Sequence, residues 1–227
     1  MLLLILLLLG LFCIGFYYAV QILQWLVSYL SAVYNIQLAV LSPMESILNI
    51  MQLTLLLMLV VCVPLILWAL IAYVRPALYA KERGYLLYVP VSLLLGILGG
   101  VFGWYLSIRI FLPYFAGFAK ILNVQNLWSL NYLVGFIITN LFVFFLVFQL
   151  PIVIVVLHSL GILKTRDMAV VRKLVVVISL VIGALVTPPD VASQLMVALP
   201  FYLLFELSVQ YCRFKEKLAA RRTLRYG

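Results

Sequence analysis

The chain has 227 residues, of which 68% are hydrophobic and only 9% charged, too little charge to cover the surface of a soluble domain of this size. Long apolar runs point instead to membrane-spanning helices, which need about 20 residues to cross the hydrocarbon core, and they exceed the alternating segments of an outer-membrane barrel. The net charge of +9 is not a nucleic-acid signal, because the basic residues sit in the breaks between apolar runs, where they report topology.

A first apolar segment covers residues 2–30 and reads as a retained helix, since no basic leader or cleavage site precedes it. Tyr17, Tyr18 and Trp25 suit its far interface. A polar stretch over 31–49, with Ser42-Pro43-Met44-Glu45, is expected to be an outer loop. A second helix is expected over 50–74, with Pro64 inside it. The loop 75–84 carries Arg75, Lys81 and Arg83 around one acid, Glu82. A third helix over 85–105 contains Pro90 and the cluster Gly96, Gly99, Gly100 and Gly103, small residues that let backbones approach. A second outer connection over 106–130 holds Arg109, Pro113 and Lys120. A fourth helix over 131–160 includes Asn140, Gln149 and Pro151, and the polar loop 161–173 follows. A fifth helix is expected over 174–186. The break Thr187-Pro188-Pro189-Asp190-Val191-Ala192-Ser193-Gln194 ends it, because two consecutive prolines cannot continue a helix. Asp190 and Ser193 then offer acceptors that cap a new one. A sixth helix over 194–212 and a basic tail over 213–227 complete the chain.

Six helices place both termini on one side. The loops 75–84 and 161–173 and the tail hold thirteen of the fifteen basic residues, and the opposite side has only Arg109 and Lys120. The positive-inside rule then makes the termini cytoplasmic and puts the 187–194 turn outside. Pro64, Pro90, Pro151 and Pro200 fall inside expected helices, which favours a curved scaffold over a straight bundle. The fifth apolar run, 174–186, is only about 20 Å of helix against a core of about 30 Å. It is expected not to reach fully across.

Few residues could carry chemistry. The six acids are Glu45, Glu82, Asp167, Asp190, Glu206 and Glu216, and no two form a pair deep in an apolar run. His158 is adjacent to Ser159, and neighbouring helix positions do not face each other, which argues against a hydrolase pair. Cys13, Cys62 and Cys212 are scattered packing residues and form no metal pattern. No phosphate loop, dinucleotide motif or zinc spacing is present, so neither an enzyme, a metal nor a cofactor is expected. Glu82 fits two readings: an ion pair or cap within its own loop, or a carboxylate that accepts a partner's guanidinium. Gln149 is an amide in hydrocarbon that must find a hydrogen-bonding partner, within the bundle or on another helix. Glu206 is a rare acid within a membrane segment, within reach of water or Arg213.

These residues together resemble the TatC family, the core subunit of the twin-arginine protein translocase. Thr187-Pro188-Pro189-Asp190-x-x-Ser193-Gln194 is similar to that family's most distinctive motif, and Pro76-Ala77-Leu78-Tyr79-x-x-Glu82-Arg83 to its first cytoplasmic loop. Ser42-Pro43-x-Glu45 resembles its first outer loop, and the likeness runs in order from about residue 42 to residue 212. The resemblance implies an all-α integral membrane protein of six transmembrane helices in a curved, glove-like arrangement, in the inner membrane of a bacterium or archaeon. It implies binding of twin-arginine signal peptides of folded cargo at the cytoplasmic face, driven onward by the proton-motive force. Glu82, Tyr73 and Arg83 would form the signal-peptide site, an acid and an aromatic face suited to guanidinium groups. TatA/TatB-type single-span subunits, and further copies of the chain, would be its partners, with Gln149, Pro151 and Glu206 as contacts. Pro43, Glu45, Pro188, Pro189, Asp190 and Gln194 would order the outer loops.

Two departures from the family pattern stand out. A His-Leu-x-Glu-Leu-Arg segment usually precedes the first helix, whereas here Met1 leads directly into Leu2-Leu3-Leu4. Either the start lies further upstream, or peptides bind through Glu82 and a reduced surface. The other is Gln149, where the family commonly has glutamate; the amide keeps hydrogen bonding and loses the charge. The alternative function, a small-molecule or ion transporter, predicts an inverted repeat and midplane ionisable groups, and the sequence has neither.

Overall fold

In hydrocarbon every backbone N–H and C=O must be satisfied within its own segment, so apolar runs of this length fold as helices. The computed structural model describes residues 2–34, 37–74, 88–121, 127–159, 161–163, 168–188 and 190–226. In chain order these form α1 (Leu2–Tyr34), β1 (Gln37–Ala39), α2 (Met44–Val74), α3 (Tyr88–Tyr105), a π-helical turn (Leu106–Phe111) and α4 (Leu112–Ile121). There follow β2 (Leu127–Ser129), α5 (Leu130–Val147), α6 (Leu150–Ser159), α7 (Met168–Val186) and α8 (Val191–Tyr226). Among the described residues, five stretches are long and apolar enough to cross a membrane: Leu6–Tyr34, Met44–Ile66, Pro90–Gly117, Leu130–Ser159 and Val191–Leu218. The fold is that of an all-α integral membrane protein, with one short exception: β1 and β2 pair in parallel, Leu38 opposite Trp128.

Several boundaries differ from expectation for identifiable reasons. The loop after α1, expected to run to Asn49, ends at Pro43, since Ser42, Pro43 and Glu45 start α2. The Ser42 hydroxyl accepts the Met44 N–H at 3.4 Å, and Glu45 lies in the positively polarised first turn. Much of the expected connection 106–130 is helical. The backbone runs from α3 through a π turn into α4, with the Leu112 N–H bonded to the Ser107 carbonyl. Tyr34, at the end of α1, donates its hydroxyl to the Ile108 carbonyl at 3.1 Å.

The expected fourth helix is two helices. Pro151 has no N–H to offer the turn before it, and the chain breaks at Phe148 and Gln149. The Gln149 carbonyl then accepts the N–H groups of Ile152 and Val153, each at 3.1 Å, to start α6. Gly161 ends α6 at φ +72°, a left-handed conformation that glycine adopts without penalty. α7 begins at Met168, not 174, and its 19 residues make about 28 Å of helix. The added turns carry Arg172 and Lys173, so the apolar part is still short. α8 begins at Val191 and runs 36 residues through the expected tail. Pro64 and Pro200 lie within α2 and α8 without interrupting either.

The chain divides into two compact units, residues 1–145 and 146–227. The first unit has its core where α1, α2, the π turn and α5 meet, around Leu30, Leu53, Ile108, Val134 and Ile137. Gly103 permits a close approach there: a Cβ at this position would stand 3.1 Å from the Asn140 carbonyl oxygen. At the end of α1, Trp25, Tyr29 and Trp104 cluster with ring centroids 5.5 to 5.8 Å apart, as suits an aromatic belt. In the second unit, α8 buries Val197, Phe201, Phe205, Val209 and Cys212. Their three- and four-residue steps make one face, and α8 packs on α6 and α7.

Candidate functional site

The α7–α8 hairpin is the best-defined polar site. Thr187 closes α7: its N–H and its hydroxyl both bond the Gly183 carbonyl, at 3.0 and 2.8 Å. Pro188 is exposed, and Pro189 lies outside the described residues. Asp190 caps α8. Its carboxylate accepts the Ser193 N–H at 3.1 Å and the Ser193 hydroxyl, and its carbonyl accepts the Gln194 N–H at 3.2 Å. Gln194 reaches back across the hairpin and donates its side-chain amide to the Leu180 carbonyl at 2.8 Å. A Cβ on Gly183 would fall 2.8 Å from the Gln194 carbonyl oxygen, so the two backbones meet where only glycine fits.

The other end of the hairpin is closed by charge. Arg172 donates from Nε to Glu206 Oε2 at 2.9 Å and from Nη2 to Oε1 at 2.6 Å, a bidentate pair. Both side chains are partly buried, 31% and 23% exposed, so the low dielectric strengthens the attraction. The expected neighbour of Glu206, Arg213, is not its partner. From sequence Arg172 reads as a topology charge that can snorkel at the end of the fifth apolar run. A usable signal existed: Arg172 lies fifteen residues before Thr187 and Glu206 sixteen after Asp190, and positions equidistant from an antiparallel turn face each other. A second missed contact joins α6 to the C-terminal part of α8. His158 Nε2 lies 2.8 Å from Glu216 Oε1, and the Lys215 ammonium donates to the Ser159 hydroxyl at 3.3 Å.

The remaining expected positions fall in separate places. Gln149 is buried at the α5–α6 break, beside the half-buried Pro151. Glu45, also buried, accepts the Leu41 N–H and the Ser129 hydroxyl, each at 3.2 Å, and so ties the start of α2 to β2. Pro43 is exposed just before α2. Tyr73 lies in the last turn of α2, and Glu82 and Arg83 are outside the described residues. Among the described residues no group of histidines, cysteines or acids is arranged to hold a metal ion.

This architecture has known relatives. The family described as Sec-independent protein translocase protein (TatC) matches residues 1–200. TatCy of Bacillus subtilis is 36% identical over 160 residues, 70% of this chain and 63% of that protein. TatC of Aquifex aeolicus is 31% identical over 213 residues, 92% of this chain and 86% of the relative. TatC of Escherichia coli K12 is 34% identical over 166 residues, 72% of this chain and 63% of the relative. The matched stretch thus spans less than two thirds of two of these relatives and most of the third. A crystal structure of the twin arginine translocase receptor TatC superposes with a TM-score of 0.78 at 28% identity, covering 91% of both chains. A second, of the same receptor in DDM, gives 0.77 at 29% identity, covering 89% of this chain and 93% of that one. With its family match and these relatives, this chain belongs to the TatC family of Sec-independent protein translocase proteins.

Proposed function

We propose that the chain is the receptor and scaffold of a twin-arginine translocase, not an enzyme. The observation that carries this reading is the match, over nine tenths of both chains, to a solved twin arginine translocase receptor. In this reading Glu82, with Tyr73 and Arg83, receives the paired arginines of a signal peptide on the cytoplasmic face. A carboxylate can take a guanidinium in bidentate geometry, and an aromatic face can stack on it. Gln149, Pro151 and Glu206 face single-span TatA/TatB-type subunits, and the proton-motive force drives export of folded cargo. Glu206 would contribute together with Arg172, as a paired polar surface rather than a bare carboxylate. Pro43, Glu45, Pro188, Pro189, Asp190 and Gln194 order the outer loops. Six crossings with both termini cytoplasmic complete the proposal.

The test is photo-crosslinking of a synthetic twin-arginine signal peptide to the purified chain. Wild type is expected to crosslink, and Glu82→Ala to lose at least about tenfold in affinity, as for a charge-assisted pair with one partner removed. Unchanged binding in Glu82→Ala overturns the site, and no binding by either form overturns the receptor reading.

A further inference from the structure

α8 is 36 residues long, about 54 Å, whereas the hydrocarbon core is about 30 Å thick. Its C-terminal part therefore leaves the bilayer as a continuation of the spanning helix and starts at the headgroups. From Arg213 onward it carries six basic residues and one acid, Glu216. That acid is engaged with His158 at the end of α6, and the adjacent Lys215 with Ser159. These two contacts fix how the helix is turned about its axis, since they come from successive positions and both reach the same short segment. Arg213, Lys217, Arg221 and Arg225 follow one another at steps of four along the helix. A step of four rotates by only about 40°, so Arg213 and Lys217 share one stripe roughly opposite Lys215, with Glu216, three positions on from Arg213, at its flank. Arg213 and Lys217 are exposed, and beside them stand Phe214, 62% exposed, and Leu218, 43% exposed.

We propose that this stripe is a docking surface for the anionic headgroups of the bilayer leaflet in which α8 ends. Its cations pair with lipid phosphates, while Phe214 and Leu218 enter the acyl boundary. Three features select lipid as the occupant. The stripe begins where the helix leaves the hydrocarbon, its charge is of one sign with the only acid turned into the α6 clasp, and apolar side chains lie next to the cations. A basic cluster directly after a membrane span, with apolar residues beside it, suits an anionic membrane surface. The surface holds for either leaflet, and the orientation proposed above makes it the cytoplasmic one. It does not depend on signal-peptide binding.

Native mass spectrometry of the full chain in detergent, titrated with phosphatidylglycerol or phosphatidylcholine, tests the proposal. Wild type is expected to retain phosphatidylglycerol at least about fivefold more strongly, with the preference falling as salt is raised. The triple variant Arg213→Gln, Lys217→Gln, Arg221→Gln is expected to lose the preference while keeping its helix content by circular dichroism. Should that variant not fold, Lys217→Gln alone is expected to lose about fivefold, the effect of one surface cation. Equal retention of the two lipids by wild type overturns the proposal, as does an undiminished preference in the folded variants. Binding of an acidic polypeptide by a chain that shows no lipid preference overturns it in favour of a protein partner.

Discussion

At the scale of single residues, stability in this chain rests on a few polar groups placed where lipid surrounds everything else. An unpaired charge in such a setting costs more than the pair contributes, because the remaining partner is left desolvated. Arg172→Gln is therefore expected to destabilise the second unit by roughly 1–3 kcal/mol. Arg172→Lys is expected to recover part of that, since it keeps the charge and loses the fork. The double variant Arg172→Gln, Glu206→Gln should be less destabilised than the sum of the single changes. Denaturant unfolding in detergent, run as a double-mutant cycle, measures the coupling; strict additivity would show that the two side chains do not interact. Glu45 and Asp190 illustrate the same economy of acids. Each accepts a backbone N–H and a serine hydroxyl, so each orders a turn and neither is arranged as a catalyst.

At the scale of elements, α7 and α8 act as a hairpin closed at both ends. The Asp190 cap, the Thr187 closure and the Gln194 amide hold the tip, and the Arg172–Glu206 pair holds the base. Backbone contact at Gly183 is what allows this spacing. Gly183→Ala places a methyl 2.8 Å from a backbone oxygen that can move only with its helix. We expect it to lower stability by about 1–3 kcal/mol, as overpacking does. A thermal melt of the purified variant checks this, and a Tm equal to wild type would contradict the close approach. The same hairpin bears on membrane thickness. After Lys173, α7 has only the 13 residues 174–186, all apolar but Ser179 and Gly183, about 20 Å. Spin labels at its two ends are expected to report a separation along the bilayer normal smaller than the unperturbed core, with local thinning around them. Two ends at the headgroups of an undistorted bilayer would refute this.

At the scale of the whole molecule, topology follows from charge more than from shape. Thirteen of fifteen basic residues fall on one side if the chain crosses six times, with the termini on that side. Labelling of single cysteines by an impermeant thiol reagent, in a background without Cys13, Cys62 and Cys212, checks the assignment. Positions in 75–84 and 213–227 are expected to react only after the cytoplasmic face is opened. Positions in 31–43 are expected to react in intact cells, and the reverse pattern would invert the molecule. Each of the two units carries its own set of buried polar groups. In the first unit Asn49 and Ser107 are buried.

Periodicity and composition determine the solvent of the chain, the existence of its long helices and the break at Thr187–Gln194, whereas the fourth helix, expected to bend at Pro151, divides there. These are local matters: a proline removes an N–H wherever the chain goes, and twenty apolar residues need lipid in any fold. The start of α2 was also legible in Ser42, Pro43 and Glu45, although the polar residues up to Asn49 masked it. The helix through Leu106–Ile121 was not, because Arg109 and Pro113 look like loop residues until packing forms around them. Nor was the partner of Glu206. Its neighbour in sequence is Arg213, but α8 turns the carboxylate toward α7, and Arg172 is the cation that meets it. Sequence alone determined that the chain belongs in lipid and that it turns at 187–194, because those depend on transfer free energies and backbone chemistry. Tertiary structure decided which polar groups meet across the turns, because that depends on how the helices pack and on which faces they present to one another.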